Sequence, residues 1–375
     1  MGFSEIYITN KLGSLVDSCG GGTPSTKNID FWNGNIPWIS SSDIEENNIQ
    51  NINITRFITS DAINNSATKL CPPNSIHIVS RVGVGKVAVS SEALCTSQDF
   101  FNITKFNGNH LYLAHLLQIK LNNTQSQGTS IKGITSKDLK ALEIKIPSVS
   151  EQNKIASFLS KIDEQIQTQI KIIEGYKSLI NGIIETVLLN SMGEEISLQT
   201  VLSEQKEYSP KNNDYPHVTL SKDGIYEKGE RYDRDFLVKN EEKEYKVSHY
   251  NDICYNPANL KFGVITINKF GDCIFSPIYV TFKINKKYNP DFIALCICRN
   301  NFINRARKFE QGTVYERMSV SPDDLLSMTI KLPSLEMQNT IVNNVTSIKN
   351  KIMIEEKFLK ALNDEKRYLL NNLFI

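Results

Sequence analysis

Apolar residues recur at alternating steps of four and three along two long stretches of the chain, residues 155–187 and 341–373. Gln169 interrupts the first series, and Glu355 is the first polar residue in the second. A period of 3.5 is typical of a coiled-coil seam, and a polar residue within a seam commonly fixes its register. Each stretch is therefore predicted to form a helix of about 38 residues, roughly 57 Å long at 1.5 Å per residue. Because the two seams match, the two helices are predicted to pair.

The two helical stretches belong to an internal repeat with an offset of 186 residues. "IKIPSVSEQNKI" (144–155) aligns with "IKLPSLEMQNTI" (330–341). Ser148 and Glu151 have the spacing of a capping box at a helix start, whereas Met337 replaces the glutamate in the second copy. A frame that returns half a chain later indicates a duplication.

The region before each long helix is predicted to be a mixed domain of short strands and helices. Here the offset falls to about 178, which aligns Gly85 with Gly263 and Cys95 with Cys273. Strands are predicted for β-rich runs, and helices for longer apolar ones. The strand runs are "SIHIVS", "KVAVS", "EYKVSHY", "GVITI" and "IYVTFKI", and the helical runs are "HLYLAHLLQIKL" and "PDFIALCICRNNFINRARKF".

Composition adds little to this picture but excludes several classes of protein. The chain carries 42 Lys+Arg against 41 Asp+Glu, so any basic surface must come from clustering. Its seven cysteines include no Cys-x-x-Cys pair, and the sequence has neither a signal-peptide pattern nor a bilayer-length apolar stretch. We therefore expect a reduced, cytoplasmic setting.

No motif for bond-making chemistry is complete. "RVGVGKVAV" lacks the spacing of a phosphate-binding loop, since Val87 rather than Ser or Thr follows Lys86. "YNPAN" resembles the catalytic loop of amino-methyltransferases only faintly, because Ala258 and Asn259 replace its second proline and its aromatic residue. Carboxylates and histidines show neither nuclease nor metal-ligand spacing. No catalytic and no metal-binding residue is predicted.

Groups suited to DNA recognition are more plentiful. The segment 17–44, "DSCGGGTPSTKNIDFWNGNIPWISSSDI", can bring backbone N–H groups and small hydroxyls close to phosphates. Its alternative interpretation is a capped turn with Trp32 and Trp38 in a local core. Arginine and asparagine can read guanine and adenine, although each such residue alone is also an ordinary surface group. The candidate residues are Thr23, Ser25, Lys27, Arg81, Lys86, Arg231, Arg234, Asn256, Asn259, Lys261, Arg305, Arg307, Lys308, Tyr315 and Arg317.

These patterns together resemble the DNA-specificity subunit of type I restriction–modification systems. "GGTPS" followed by "FWNGNIPWISSSDI" is similar to the opening of that family's target recognition domain, and "GITSKDLKALEIKIPSVSEQNKIASFLSKIDEQI" resembles its conserved spacer. The resemblance implies an α/β (α+β) fold with a pseudo-twofold internal repeat. Two target recognition domains, 1–147 and 191–333, would be separated by two long helices, 148–190 and 334–375, paired as an antiparallel coiled coil.

The same resemblance implies a role and a set of partners. Each domain would read one half of a bipartite target in double-stranded DNA, and the helices would set the spacing. Two modification subunits with S-adenosylmethionine would dock along the helices, and two restriction subunits using ATP and Mg would complete the complex. The chain itself would bind no cofactor and catalyse nothing. Candidate spacer and docking residues are Glu151, Gln152, Ile155, Leu159, Ile162, Gln169, Gln338, Ile341, Ile348 and Glu355.

Other functions remain open at this point. A duplicated scaffold that binds proteins would share the repeat, but it would present aromatic or methionine-rich patches rather than arginine and asparagine clusters. A specificity subunit of a related restriction–methylation system fits the same residues. An enzyme fits least, because it would need the motifs that are incomplete here.

Overall fold

The computed structural model describes residues 7–46, 48–126, 133–190, 193–210, 214–222, 224–227, 244–311 and 318–374. It divides into two compact units. Unit 1 comprises Met1–Lys171 with Glu356–Ile375, and unit 2 comprises Ile172–Glu355. The predicted domain boundaries follow the repeat, whereas the units also divide both long helices. Within the residues that the structure describes, no helix combines the length and apolarity needed to cross a membrane.

Unit 1 contains mostly short strands. They are β1 (Ile8–Lys11), β2 (Val16–Gly20), β3 (Ile36–Ile39), β4 (Arg56–Ile58), β5 (Leu70–Cys71), β6 (Ile76–Val79), β7 (Val87–Val89), β8 (Leu94–Thr96), β9 (Phe100–Phe106) and β10 (Glu143–Ile146). Its helices are α1 (Ser60–Asn64), α2 (His110–Ser126) and α3 (Ser136–Ala141), followed by the start of α4 (Val149–Asn190).

Unit 2 has a corresponding set of elements. Its strands are β11 (Glu194–Ser197), β12 (Leu202–Gln205), β13 (Tyr208–Pro210), β14 (Val218–Ser221), β15 (Gly224–Glu227), β16 (Glu244–Ser248), β17 (Ile253–Tyr255), β18 (Ile265–Ile267), β19 (Cys273–Phe275), β20 (Val280–Ile284) and β21 (Thr329–Leu332). Its helices are α5 (Leu198–Val201), α6 (Pro290–Ile297), α7 (Asn300–Ala306) and α8 (Pro322–Ser327), with α9 (Leu335–Leu373) beginning after β21.

The predicted duplication is visible in the sheets. One four-stranded sheet of unit 1 has the order β2-β9-β6-β7, and one of unit 2 has the matching order β12-β20-β17-β18. In each unit the first strand also pairs antiparallel with the strand before the long helix, β1 with β10 and β11 with β21. We name these two pairs the closing ribbons. Ile8 pairs with Ile146 and Glu194 with Leu332, so both ribbons keep the 186-residue offset.

The predicted long helices and their seam are confirmed. In unit 1 Ile162 and Ile166 of α4 pack with Leu362 of α9, whereas the first turns of α4 share a core with the last turns of α9. In unit 2 Ile184 packs with Ile341 near the start of α9. The beginning of α4 thus packs with the end of α9 in unit 1, and the end of α4 packs with the beginning of α9 in unit 2, so the pairing is antiparallel.

A buried amide bracket holds the start of α4 in unit 1. The backbone N–H of Asn109 donates to Gln152 Oε1 at 3.0 Å, and Gln152 Nε2 donates to the Pro147 carbonyl at 2.9 Å. The Asn109 side chain donates to Asn153 Oδ1 at 2.9 Å and accepts from the N–H of Tyr112 at 3.0 Å, which caps α2. One glutamine thus joins two helix starts.

Unit 2 repeats this amide bracket atom for atom. Asn289 N–H donates to Gln338 Oε1 at 3.0 Å, and Gln338 Nε2 donates to the Pro333 carbonyl at 2.9 Å. Asn289 Nδ2 donates to Asn339 Oδ1 at 2.7 Å, and Asn289 Oδ1 caps α6 by accepting from Phe292 N–H at 3.0 Å. The Gln-Asn dipeptide of the repeat is therefore a structural motif.

Most of the helix residues predicted for the spacer or for partner docking are buried within their own unit. Gln152 and Gln338 are each only 2% exposed and bind backbone groups of their own unit. Glu151 is also buried and pairs with Lys154 at 3.4 Å. Because the apolar seam positions face the core as well, these residues build the helices rather than offer a surface. Ile155, Leu159, Ile162, Gln169 and Ile341 are buried, and Ile348 and Glu355 are half-buried.

Unit 1 also contains a buried ionic contact beside the seam. Lys366 Nζ of α9 lies 2.5 Å from Asp163 Oδ1 of α4, and both side chains are less than a tenth exposed. His115 Nε2 of α2 lies 3.8 Å from Asp163 Oδ2. Burial lowers the pKa of His115 to about 3, with Lys366 adding to this shift, so the imidazole is neutral. Burial raises the pKa of Asp163, and Lys366 opposes that rise.

Candidate nucleic-acid interface

The glycine-rich segment after β2 lies closely against the strands around it. A Cβ on Gly21 would come 2.0 Å from the Ser97 carbonyl oxygen, and one on Gly22 would come 2.4 Å from Ala67. Glycine is required here because the backbone approach leaves no room for a side chain. Thr23 follows directly, is exposed, and donates its hydroxyl to Gln98 Oε1.

The two tryptophans of this segment form a local core, as the alternative interpretation predicted. Trp38 is 3% exposed, and its Nε1 donates to the Gly22 carbonyl at 3.0 Å. Trp32 meets it edge-on at 5.0 Å, and its Nε1 donates to the Ser25 carbonyl at 3.2 Å. Arg56 lies 4.7 Å above the Trp38 ring. The aromatic packing fixes a loop on which Thr23, Ser25 and Lys27 are exposed.

The β6–β7 hairpin carries Arg81 at its tip, and the equivalent β17–β18 hairpin carries Lys261; both are exposed. We name residues 80–86 and 256–264 the hairpin tips. Gly85 and Gly263, which the sequence alignment pairs, have φ values of 94° and 80°, a region that favours glycine. Both tips therefore have a left-handed glycine two residues before their second strand.

Each hairpin tip also exposes an apolar side chain next to its basic residue. Val82 follows Arg81 and is 73% exposed, and Phe262 follows Lys261 and is 65% exposed. Sequence reasoning missed Val82 and Phe262, although each lies between a basic residue and a glycine in the sequence. A cation beside an apolar group suits a surface that contacts phosphates and bases.

Two candidates at the hairpin tips have structural roles instead. Asn256 is 5% exposed, and its Oδ1 accepts from the N–H groups of Ala258 and Asn259 at 3.1 and 3.2 Å. It caps the 3-10 turn Pro257–Phe262. The prediction of a base-reading amide at Asn256 is therefore corrected. Lys86 is half-buried and donates to the Ile44 carbonyl at 3.0 Å, which anchors the first tip.

The basic residues of α7 and the turn that follows lie away from the hairpin tips in sequence. Arg305 is exposed but donates to the Thr329 carbonyl of β21 at 3.0 Å, so it contacts a closing ribbon. Arg307 pairs with Glu310 at 3.2 Å, and Lys308 is exposed.

Of the other candidates, Asn259 at the second hairpin tip is half-buried. The remaining candidates fall outside the described residues, namely Arg231, Arg234, Tyr315 and Arg317.

Among the described residues, no three His, Cys, Asp or Glu side chains are grouped so as to hold a metal ion. His77 of β6 is fully buried between Asn102 Oδ1 at 2.8 Å and Ser90 Oγ at 3.0 Å. Burial lowers the pKa of His77 to about 4, so this imidazole is a neutral structural group.

Part of the sequence matches a known protein family and known proteins. Residues 7–174 match the family model described as the type I restriction modification DNA specificity domain. The sequence is 34% identical over 173 residues to the type I restriction enzyme MjaIX specificity subunit of Methanocaldococcus jannaschii, covering 44% of this chain and 40% of that subunit. It is 30% identical over 190 residues to the EcoR124I/EcoR124II specificity subunit of Escherichia coli, covering 45% of this chain and 46% of that one. The matched region thus spans less than half the length of each relative.

Solved structures extend the similarity of fold to the whole chain. The type I restriction–modification S subunit from M. genitalium superposes with a TM-score of 0.57 at 15% identity, over 100% of this chain and 98% of that one. A chain from a study of complex assembly and conformational transition of the type I R-M system gives 0.59 at 13% identity, over 100% and 99%. The overall fold is therefore similar to that of these solved S subunits. Residues 7–174 match the DNA specificity domain, and the relatives that match a similar share of the chain are type I specificity subunits.

Proposed function

We propose that this chain selects the DNA target of a type I restriction–modification complex, with each unit reading one half of a bipartite sequence. The observation that carries the proposal is that the two units have the same backbone arrangement but different side chains at their hairpin tips. The two units share ribbons, sheet order and amide brackets, whereas their hairpin tips carry different side chains. A shared frame with different exposed groups suits two readers of different half-sites.

The chemistry of the complex then belongs to other subunits. The relatives are named as specificity subunits of restriction enzymes, and the phosphate-loop and methyltransferase motifs of this sequence are incomplete. In this proposal two modification subunits supply S-adenosylmethionine and methyl transfer, and two restriction subunits supply ATP-driven cleavage. The chain contributes DNA binding, the spacing between half-sites and a docking surface on the exposed faces of α4 and α9.

Exchange of one recognition region tests the division into half-sites. Residues 198–328 lie between the two strands of the second closing ribbon, so they can be replaced by the matching region of another family member. Methylation mapping of the reconstituted complex should then show one half of the motif changed and the other retained. Changes in both halves would contradict independent reading.

Substitutions at the hairpin tips test which residues reach the DNA. We expect Arg81→Ala and Lys261→Ala each to affect a different half-site. A base contact should cost about 1–3 kcal/mol and relax one position, whereas a phosphate contact should weaken every sequence and reduce the salt slope by about one. Lys105→Ala, which removes an exposed charge from β9 at the end of the sheet opposite the hairpin tip, is the control. Unchanged binding in both tip variants would remove the tips from the interface.

An insertion tests whether the helices set the spacing. Four residues added after Thr168 would add about 6 Å and roughly one helical turn, close to two base-pair steps of about 3.4 Å. The complex should then methylate a target with a spacer longer by about one or two base pairs. A two-residue insertion, which rotates the seam by about 200°, should abolish activity. An active four-residue variant with an unchanged spacer would limit α4 and α9 to docking.

A further inference from the structure

The three cysteines of the first repeat lie close together in unit 1. Cys19 is on β2, Cys71 is on β5, and Cys95 is on β8, whose partner strand is β5. The Sγ atoms of Cys19 and Cys71 are 3.9 Å apart. Cys19 is half-buried, whereas Cys71 and Cys95 are fully buried. A half-buried cysteine therefore lies next to a fully buried one.

The cysteines of the second repeat have different surroundings. Cys273, which the alignment pairs with Cys95, is buried and meets Asn268 Nδ2 at 3.6 Å. Cys254 lies 3.1 Å from Ser248 Oγ. Burial raises the pKa of the Cys273 thiol to about 12, and it also raises the pKa of Cys254. These thiols are protonated and shielded at neutral pH, so they provide an internal reference within the same chain.

Charge and hydrogen bonding favour the thiolate at Cys19. The hydrogen bond from Cys71 lowers the pKa of Cys19 to about 7; burial opposes this shift, and the nearby Lys69 ammonium supports it. The same contact raises the pKa of Cys71, which stays protonated as the donor. The thiolate is the nucleophilic form of cysteine, and redox-sensitive cysteines combine a low pKa, exposure and a neighbouring second thiol.

We propose that Cys19 and Cys71 form an oxidation site for hydroperoxides. The Cys19 thiolate attacks the peroxide O–O bond, which gives a sulfenic acid on Cys19 and releases hydroxide. The Cys71 thiol then attacks the Cys19 sulfur and loses its proton, so that a disulfide and water form. Two electrons pass from the two sulfur atoms to one peroxide molecule. No metal or other cofactor takes part.

Formation of the disulfide requires a local movement of the two cysteines. Sulfur atoms must approach by about 2 Å to reach a disulfide length of roughly 2.05 Å. Gly20, which follows Cys19, has open space around its Cβ position, so this end of β2 has room to shift. Gly21 and Gly22 have none, because they lie against Ser97 and Ala67. Drawing Cys19 toward Cys71 should therefore displace the glycine-rich segment that carries Thr23.

A consequence for DNA follows, and it rests on the proposed function. The Cys19–Cys71 bond would join β2 and β5, which belong to different sheets, beside the exposed residues Thr23, Ser25 and Lys27. The oxidised protein should then lose affinity for the first half-site. The second unit keeps its thiols reduced and should bind its half-site unchanged. Oxidation would thus weaken one reader of a two-part target.

Peptide mapping of the full chain tests the disulfide directly. Trypsin places Cys19 in peptide 12–27, Cys71 in 70–81 and Cys95 in 87–105. After brief treatment with hydrogen peroxide and alkylation, a 12–27/70–81 cross-link should accumulate in the wild type. Cys19 should be consumed at least about tenfold faster than Cys273 at pH 7.5, because thiolate fraction controls the rate. Equal rates, or the absence of the cross-link, would overturn the proposal.

Matched variants separate the two thiols. In Cys71→Ser the sulfenic acid on Cys19 should persist and be trapped by dimedone, and the midpoint of its pH–rate profile should rise above about 7 because the donor thiol is gone. In Cys19→Ser, Cys71 should remain reduced. Cys273→Ser should behave as the wild type. Oxidation of Cys71 without Cys19 would contradict the assigned order of attack.

Binding assays then distinguish failure of the inference from failure of the proposed function. DNA carrying the mapped target is titrated with reduced and oxidised complex. A cross-link with at least about tenfold weaker binding, absent in Cys19→Ser, supports both. A cross-link with unchanged binding overturns the effect on recognition but keeps the oxidation site. Absence of specific binding even by the reduced complex overturns the proposed function, while the peptide map still decides the disulfide.

Discussion

The two units share the amide bracket at the start of each long helix and differ in a buried ionic contact beside the helix seam. The amide brackets at Gln152 and Gln338 agree atom for atom. In contrast, the Asp163–Lys366 pair of unit 1 has no counterpart, because the 186-residue offset places Lys349 and Ile180 at the equivalent positions. The comparison shows that a duplicated frame is maintained by groups that bind the main chain, while side-chain pairs are free to diverge.

The largest effect should come from breaking the pair that only unit 1 has. Lys366→Met leaves the buried Asp163 carboxylate without its cation, which typically costs about 3–5 kcal/mol. Denaturant unfolding should show this loss. The double variant Asp163→Leu/Lys366→Met should recover most of the stability, since it removes both charges. Ile180→Met, at the equivalent position in unit 2, is the control and should cost less than about 1.5 kcal/mol.

Breaking the amide bracket should cost the same unfolding free energy in unit 1 as in unit 2. Gln152→Ala leaves the Asn109 N–H and the Pro147 carbonyl without their partner, and Gln338→Ala does the same to Asn289 and Pro333. Two unsatisfied groups should cost about 2–4 kcal/mol of unfolding free energy. The exposed Asn343→Ala in α9 serves as the control. A loss of unfolding free energy in only one of the two variants would show that the same hydrogen-bond geometry does not contribute equally to the stability of the two units.

Histidines should give the two units opposite responses to pH. The pKa of His77 is lowered to about 4, so the stability it preserves is complete above about 6.5 and is lost as pH falls toward 4. The pKa of His249 in unit 2 is raised, first by its hydrogen bond to Glu207 at 3.0 Å and also by Asp272. Its contribution is complete below 6.5 and is lost as pH rises through the folded value.

Unfolding free energies at pH 5.5 and 7.5 check this prediction. His77→Gln should reduce the acid destabilisation of the wild type by about 1 kcal/mol, from the protonation linkage of one buried imidazole. His249→Gln should reduce the loss on going to the higher pH, by a smaller amount because the ring is partly exposed. An identical pH dependence in both variants would be evidence against the assignment.

The smallest effect should come from a surface ion pair. Arg299 lies 3.2 Å from Glu185 in unit 2, and the Glu185 side chain is 51% exposed. Solvent screens such a pair, so Glu185→Gln should change the unfolding free energy by less than about 1 kcal/mol. Compared with Lys366→Met, this measurement shows how much of the stability lost with an ion pair depends on the burial of its charges. Equal losses in the two variants would refute the distinction.

The periodic parts of the fold could be predicted from the sequence, and the individual contacts could not. The heptad series of α4 and α9 is a signal spread over ten positions, so it survives single exceptions such as Gln169. The role of Asn256 was missed because the sequence does not distinguish an asparagine that caps a turn from one that reads a base. Gln152 and Gln338 were named as spacer or docking candidates from the resemblance of the repeated spacer, which does not show that their amides bind backbone groups of their own unit. Polar residues have several possible partners, and only the fold selects one.

The closing ribbons have a consequence for how such a protein can change over time. Because β1 pairs with β10 and β11 with β21, each recognition region leaves the frame and returns to it at adjacent strands. The ends of the region are held together whatever its length, and doubling the length of a loop adds only about 0.6 kcal/mol of closure entropy. The aligned offset already shifts from 186 to 178 inside this boundary while the ribbons keep register. Insertions, deletions and recombination can therefore accumulate there without disturbing the helices that follow.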